Sequence, residues 1–425
     1  MAETSNINLL GNTTRVETPF IRVQIGAYTF GVSDTLTKNP GYQMNNRLNR
    51  SISGIQYPNY VKSLTIQKIN GAVNKYSLVI NYPITMGDDP NFFEKVFSSV
   101  SDTRKIVFSY GDLSAPMFTY RDEEATITKI SQSFSASSSM ITYTINAISS
   151  ATLLTGGAYT FFAKRDKPSN VIKELFKGYD TYGLKDIFTG MRDYETIISK
   201  NLIADDDAIV DINTKSNISI LDYIYYLVSC MIPNGSSPSL TVSNTYSMIV
   251  CDDTTSGIDG PYFKIVSNDN KTMSDGAYVI DYGYPTQNIV TDFQVENNEV
   301  YSLFYKFNQN LSDNNYTQRI NDDGVLENVF APVLSSKNDN YLTRTNDITW
   351  WNNMTSYPIK ASITFKGLLK PAILMSYVRL NVLYYGRKHV ASGVYVVTSQ
   401  TDRISESGFS TTLGLMRVQG DTYEF

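Results

Sequence analysis

The chain has 425 residues, too many for one ordinary hydrophobic core, and its 42 % hydrophobic and 18 % charged residues, with 31 Tyr and 20 Phe against 2 Trp, describe a folded, strand-prone protein. The net charge of −5 is uneven: positions 201–300 hold 14 acidic and 3 basic residues, which excludes a phosphate-gripping surface there and suits a solvated acidic face or a pore lining that lets DNA slide. The single His389 and the two cysteines exclude a His-rich metal centre and a disulfide scaffold.

In chain order, residues 1–18 are polar and aperiodic and read as an N-terminal arm, with neither a basic nor an apolar export segment. Strand alternation begins at Phe20–Ile25. Leu64, Ile66 and Ile69 lead into Asn70-Gly71, and Tyr76, Leu78, Ile80 and Tyr82 alternate afterwards, which is the pattern of a hairpin. Pro90 opens a predicted helix whose buried face is Phe93, Val96, Phe97 and Val100. Lys105–Tyr110 and Ala125–Ile130 are further strands. A Ser-rich turn is expected at Ser131–Ser139, and Ile141, Tyr143 and Ile145 close the set near Ala151. Residues 19–155 thus form a first β-barrel or sandwich domain.

Beyond Gly156 and Gly157 the pattern mixes. Pro168–Phe176 predicts a helix with Ser169 as its N-cap, and Ile220–Met231 predicts a second, largely buried one. This mixed α/β middle covers 156–276, and the fold class is mainly β with an α+β middle. Cys230 and Cys251 read as reduced thiols.

From 277 to 425 strands return, and the chain repeats itself. Val290–Val295, re-entering at Tyr301–Leu303, matches the hairpin of Leu64–Ile66 and Tyr76–Leu78. Ser399-Gln400 with Phe409–Leu413 matches Ser131-Gln132 with Ile141–Ile145. The second copy carries an insertion at about 308–353, rich in Asn, Asp and Tyr, as a surface excursion would be.

Chemistry-bearing patterns are sparse. His389 lies in a basic turn starting at Gly386, with no second His or Cys beside it, so no catalytic or zinc arrangement forms around it. No phosphate-cradling glycine loop occurs. Asp122-Glu123-Glu124 and Asp205-Asp206-Asp207 are the candidate carboxylate pairs for glycoside hydrolysis, and the latter with Asp211 faintly suggests calcium. Neither has the marks of a buried site or of a calcium loop, and both read as solvated charge. Trp350-Trp351 reads as an interface anchor ahead of a glycan-stacking platform. No catalytic, cofactor-binding or metal residue is expected, and no cofactor.

The stretch Gly393–Arg417 runs Gly393-x-Tyr395-x-Val397, an Ile404-Ser405 turn, then Gly408-Phe409-x-Thr411-x-Leu413 and Arg417. It resembles the final hairpin of phage baseplate hub proteins. Val378–Tyr385 fits the strand that family places just before, and Pro168–Phe176 is similar to its Pro-Ser-x-Val-Ile helix; where relatives often carry a His, this chain has Thr401 or Asp402. The resemblance implies two tube-like β-barrel domains flanking a mixed middle, in a homotrimer whose six barrels form a pseudo-sixfold ring. Such a ring is a symmetry adaptor: it joins a sixfold tail tube, or a distal tail ring protein, to a threefold central spike and leaves a channel for DNA. Tape measure and baseplate wedge proteins are further partners, without sequence-specific nucleic-acid binding or a membrane segment. The implied location is the virion baseplate, assembled in the host cytoplasm. A glycan-binding tail adhesin or tail-associated carbohydrate hydrolase is the alternative from another class, and the hub of a bacterial contractile injection system shares every feature used.

Overall fold

The computed structural model describes residues 19–26, 28–30, 55–56, 60–84, 105–112, 119–135, 137, 139–176, 203, 205–206, 209–231, 246–251, 262–267, 278–282, 290–297, 316–320, 326–330, 359–366, 374, 377–384, 386–389, 391–405 and 408–420. Over these the protein is mainly β. The first half holds β1 (Pro19–Ile25), β2 (Tyr28–Phe30), β3 (Ile55–Gln56), β4 (Val61–Ile69), β5 (Lys75–Pro83), β6 (Lys105–Asp112), β7 (Thr119–Ser135) and β8 (Met140–Ser149). A 3-10 turn, Ser150–Thr155, leads into β9 (Tyr159–Phe161), β10 (Lys164–Asp166), α1 (Pro168–Phe176), β11 (Val210–Ile212), β12 (Lys215–Ile218), α2 (Ile220–Ser229), β13 (Tyr246–Cys251) and β14 (Tyr262–Ser267). The rest comprises β15 (Tyr278–Tyr282), β16 (Val290–Asn297), β17 (Tyr316–Ile320), β18 (Leu326–Phe330), β19 (Ile359–Lys366), β20 (Tyr377–Tyr384), β21 (Arg387–Lys388), β22 (Gly393–Ser405) and β23 (Gly408–Gly420).

Among the described residues one sheet of fifteen strands runs through both halves of the chain. In the first half the pairing order is β4-β5-β8-β7-β6-β1. In the second it is β16-β19-β23-β22-β20-β15. Taken in chain order, the same six strands pair in the same sequence twice. The irregularities repeat as well. Lys62 is an extra residue in β4 against β5, and Thr291 is the extra residue at the same point of β16 against β19. Thr128 bulges from β7 against β8 as Thr398 bulges from β22 against β23. Bulges bend and re-aim a strand, so their recurrence marks one architecture used twice. The outermost strands differ: β1 runs antiparallel to β6, whereas β15 runs parallel to β20.

Several expectations shift. Ser131–Ser135 is strand, because this arm of β7 pairs with Met140–Thr144 of β8, which leaves four residues, 136–139, to connect the two. The residue matching Ser399 is therefore Lys129, and Ser131 matches Thr401. The strand answering β16 is β19, so the insertion occupies the connection 298–358 where the first half has the short turn 70–74. That connection contains the β17·β18 hairpin. Ser169 is not the N-cap of α1: the carbonyl of Lys167 accepts from the N–H groups of Asn170 and Val171, so the cap position is Lys167. At α2, Ser219 does cap, accepting from Asp222 N at 3.0 Å and donating to Asp222 Oδ2 at 2.7 Å. The N-terminal arm, the helix around Phe93–Val100, the re-entry at Tyr301–Leu303 and Trp350-Trp351 lie outside the described residues.

Two apolar cores result. The first collects the inward residues of β1 and β4–β8, among them Leu64, Ile66, Leu78, Phe108 and Ile145, together with Ile404 and Phe409 from the tip of the β22–β23 hairpin. The second joins the middle elements to β15, β19, β20, β22 and β23, with α2 contributing Ile220, Tyr223, Ile224 and Leu227. Tyr223 stacks on Phe161 with ring centroids 3.8 Å apart, which seats α2 on β9.

Candidate assembly interface

The two halves meet edge to edge. Only the first part of β22, Gly393–Val396, pairs with β20, so its second part projects beyond its own unit and pairs antiparallel with β4. The register runs from Ser399 opposite Ile69 to Ser405 opposite Ser63. Asn70 N donates to Thr398 O at 2.8 Å, which carries the pairing up to the bulge. Residues opposite one another in such a ladder share a face. Thus Ile404 lies beside Leu64, Asp402 beside Ile66 and Gln400 beside Lys68, all buried. Phe409 meets Tyr110 edge to face at 6.2 Å.

Polar groups are built into this junction, with Asp402 at their centre. Thr411 Oγ1 donates to Asp402 Oδ1 at 2.6 Å, and Gln400 Nε2 donates to Asp402 Oδ2 at 2.9 Å. One step inward, Lys68 forms an ion pair and hydrogen bond with Glu123, which is fully buried. Tyr76 OH and Tyr110 OH also donate to that carboxylate, at 2.7 and 2.6 Å. Four strands, β4, β5, β6 and β7, are tied through one carboxylate. A charge so enclosed is tolerable only because its lone pairs are used.

This corrects the expectation that Asp122–Glu124 is solvated. Glu123 points inward, while Glu124 faces out and pairs with Lys105 at 2.8 Å. The second triplet divides too. Asp205 pairs with Lys173, whereas buried Asp206 accepts from both the N–H and the hydroxyl of Ser169 and so serves the first turn of α1 from outside the helix. Burial pushes the Asp206 carboxyl above the ordinary aspartate value, against the Ser169 hydrogen bonds that pull it down. Asp211 stands 3.8 Å from Arg165. Among the described residues no three His, Cys, Asp or Glu converge as metal ligands. His389 sits in a turn and accepts from Ala391 N at Nδ1 (3.2 Å). Cys230 is buried at the C-cap of α2 and forms no disulfide. Among the described residues no helix is long and apolar enough to cross a membrane.

The first-half hairpin docks on the middle region as well: Gly71 N donates to Met248 O at 3.2 Å, and Gly71 has φ +80° with the Tyr225 ring against it. The inward turn of Glu123 was visible in one respect, since it shares parity with Ala125 and Ile127 on the same strand. Its partner Lys68 was not.

No known family matches the chain, and no curated protein sequence matches it. Solved structures do. A tail protein from Neisseria meningitidis MC58 is 9 % identical with a TM-score of 0.48, over 94 % of this chain and 97 % of that one. The 43 kDa tail protein of prophage MuSo2 from Shewanella oneidensis is 8 % identical with a TM-score of 0.46, over 94 % and 97 %. An E. coli type VI secretion component, itself described as similar to the T4 tail proteins gp27 and gp5, is 8 % identical with a TM-score of 0.44, over 86 % and 76 %. Two are tail proteins and the third is a secretion-system component.

Proposed function

We propose that the chain is a structural, non-catalytic hub of a phage tail baseplate. In this reading three copies form a pseudo-sixfold ring that joins a sixfold tail tube to a threefold central spike and leaves a channel for DNA. The observation that carries it is the duplicated six-strand unit whose two copies are joined edge to edge through β22 and β4. One gene then supplies two near-equivalent units, so a trimer offers six similar positions on one side and three distinct ones on the other. The resemblance of Gly393–Arg417 to the last hairpin of baseplate hubs supports the same reading. So does the use of the buried carboxylates: Glu123, Asp206 and Asp402 are each engaged in holding strands or a helix turn. In the chain, residues 19–155 and 277–425 are taken as the two tube-like domains, 156–276 as the middle, and no residue as catalytic or cofactor-binding.

The test is the mass of the purified chain by light scattering together with negative-stain imaging. A trimeric ring with a central hole and a six-lobed outline is the expected result. A folded chain that stays monomeric at high concentration and binds defined glycans on an array would replace this reading with the adhesin.

A further inference from the structure

The internal junction exists because the far part of β22 outruns its neighbour β20 and finds β4. The first unit has the same projecting arm. β6 pairs with Thr119–Thr126 of β7 and stops there, so Lys129–Ser135 has β8 on one side and, among the described residues, no strand on the other. The second unit has the same receiving edge: β16 corresponds to β4 and pairs, among the described residues, with β19 alone. One arm and one edge are matched within the chain, and among the described residues one of each is left over.

We infer that the β7 arm of one copy pairs antiparallel with β16 of a second copy of this chain, in the register of the internal junction. The bulges fix that register. Thr128 stands for Thr398, so Lys129–Ser135 stands for Ser399–Ser405. Lys62 stands for Thr291, so Ser63–Ile66 stands for Asp292–Val295. Transferring the internal pairs places Phe134 opposite Phe293, Gln132 opposite Val295, Ser133 opposite Gln294 and Ser135 opposite Asp292.

Exposure agrees with this. Ile404 is 1 % exposed in the internal junction, while its counterpart Phe134 is 61 % exposed. Ile66 is fully buried, while its counterpart Val295 is 37 % exposed. Both apolar side chains fall on the face that the internal junction buries, and Ile130 lies on that face too. An open strand edge carrying large apolar groups is a hazard unless something covers it. The other face brings Ser131, Ser133 and Ser135 against polar Glu296, Gln294 and Asp292, so no buried charge is stranded. Arm and edge are different surfaces, so the contact is head to tail, and three such contacts would close the ring of the hub reading.

This inference rests on the hub reading for the number of copies but not for the contact itself. The test joins Ser133→Cys and Gln294→Cys in the full chain, since the pair they copy, Arg403 and Thr65, lies directly opposite across the internal junction. Mild oxidation is expected to give covalent dimers and trimers that neither single variant gives. Phe134→Asp is expected to raise the concentration for half-association at least about tenfold, while Phe162→Asp, at an exposed site on the loop after β9, leaves it unchanged. An oligomer that neither cross-links nor responds to Phe134→Asp would overturn this contact and leave the hub reading standing. A folded chain that remains monomeric throughout would overturn both.

Discussion

Thr128 and Thr398 occupy the same bulge in two different hairpins, and each hydroxyl donates to the carbonyl across the break: to Asn146 O at 3.1 Å and to Gly414 O at 3.2 Å. Beyond each bulge the cross-strand pair also recurs, Gln132 with Tyr143 and Asp402 with Thr411. The bulge bends the strand out of its own unit and sends the arm that follows toward a neighbour. Thr398→Ala keeps the extra residue but loses the hydroxyl bond to Gly414 O, while the backbone bond from Asn70 N to the carbonyl of residue 398 stays, so a loss of about 1 kcal/mol is expected. Deleting residue 398 removes the bend, and should unfold the junction rather than merely weaken it. Comparing the two by denaturant titration tests whether bend or bond matters more.

Glu123→Ala leaves the Lys68 ammonium buried without its partner and strips two tyrosines of their acceptor, so about 3–5 kcal/mol should be lost. Lys68→Met with Glu123→Leu removes both charges together and should recover most of that loss. Urea midpoints of the single and double variants decide it; equal losses would mean that the pair is not what the core depends on.

How much of this could be read from the chain depends on range. Tyr76, Leu78 and Ile80, or Ile141, Tyr143 and Ile145, announce their strands because period-2 burial is a local property. The α2 cap at Ser219 is equally local. Glu123 defeated the reading because a carboxylate at an inward position contradicts the very alternation that identifies the strand, and the lysine that makes it tolerable belongs to another strand. The β4·β22 junction has no sequence signature at all, since it joins the two ends of the chain. Ser131 lies two residues out of step with Ser399 for a physical reason: four residues separate the paired positions Ser135 and Met140 in the first hairpin, and two separate Ser405 and Gly408 in the second.

At Gly71 the chain turns with φ +80°, and a Cβ there would lie 2.9 Å from the Tyr225 ring. Gly71→Ala therefore meets two obstacles, an unfavourable backbone and a ring with little freedom to move, and should cost more than the ~1 kcal/mol of the backbone effect alone. The Tyr225 hydroxyl is pushed up to about 12 by burial and the nearby Asp222 charge, as expected of a ring packed in this wall. In a Tyr225→Ala background the added cost of Gly71→Ala should fall to the backbone share. An unchanged cost would show that the ring is not the obstacle.

Asp206 gives a pH signature. Its folded carboxyl titrates above the ordinary value of 3.8, so the folded chain holds the proton more tightly than the unfolded chain does. Below 3.8 both states are protonated and the full stability is present. As pH rises through the folded value, the unfolded state gains by ionising first and stability is lost. Asp206→Asn cannot ionise, and so should gain on the wild type as pH rises from below 3.8, with the gain levelling off above the folded value. Urea midpoints of both proteins across that range measure the difference, and a flat or opposite trend would rule the account out.

Ile404 and Phe134 offer the sharpest contrast, because they hold the same place in the two hairpins and differ in what covers them. Ile404 is packed in the core of the other unit, beside Leu64, so Ile404→Ala should cost about 2–4 kcal/mol in the isolated chain whatever its state of association. Phe134 is open in the isolated chain, so Phe134→Ala should change monomer stability by less than about 0.5 kcal/mol. Its effect should appear only on association, as a shift in apparent stability that grows with protein concentration in the wild type and is absent from the variant. Denaturation of both variants at two concentrations a hundredfold apart separates the cases. A large concentration-independent loss in Phe134→Ala would mean that this ring already has a partner within its own chain.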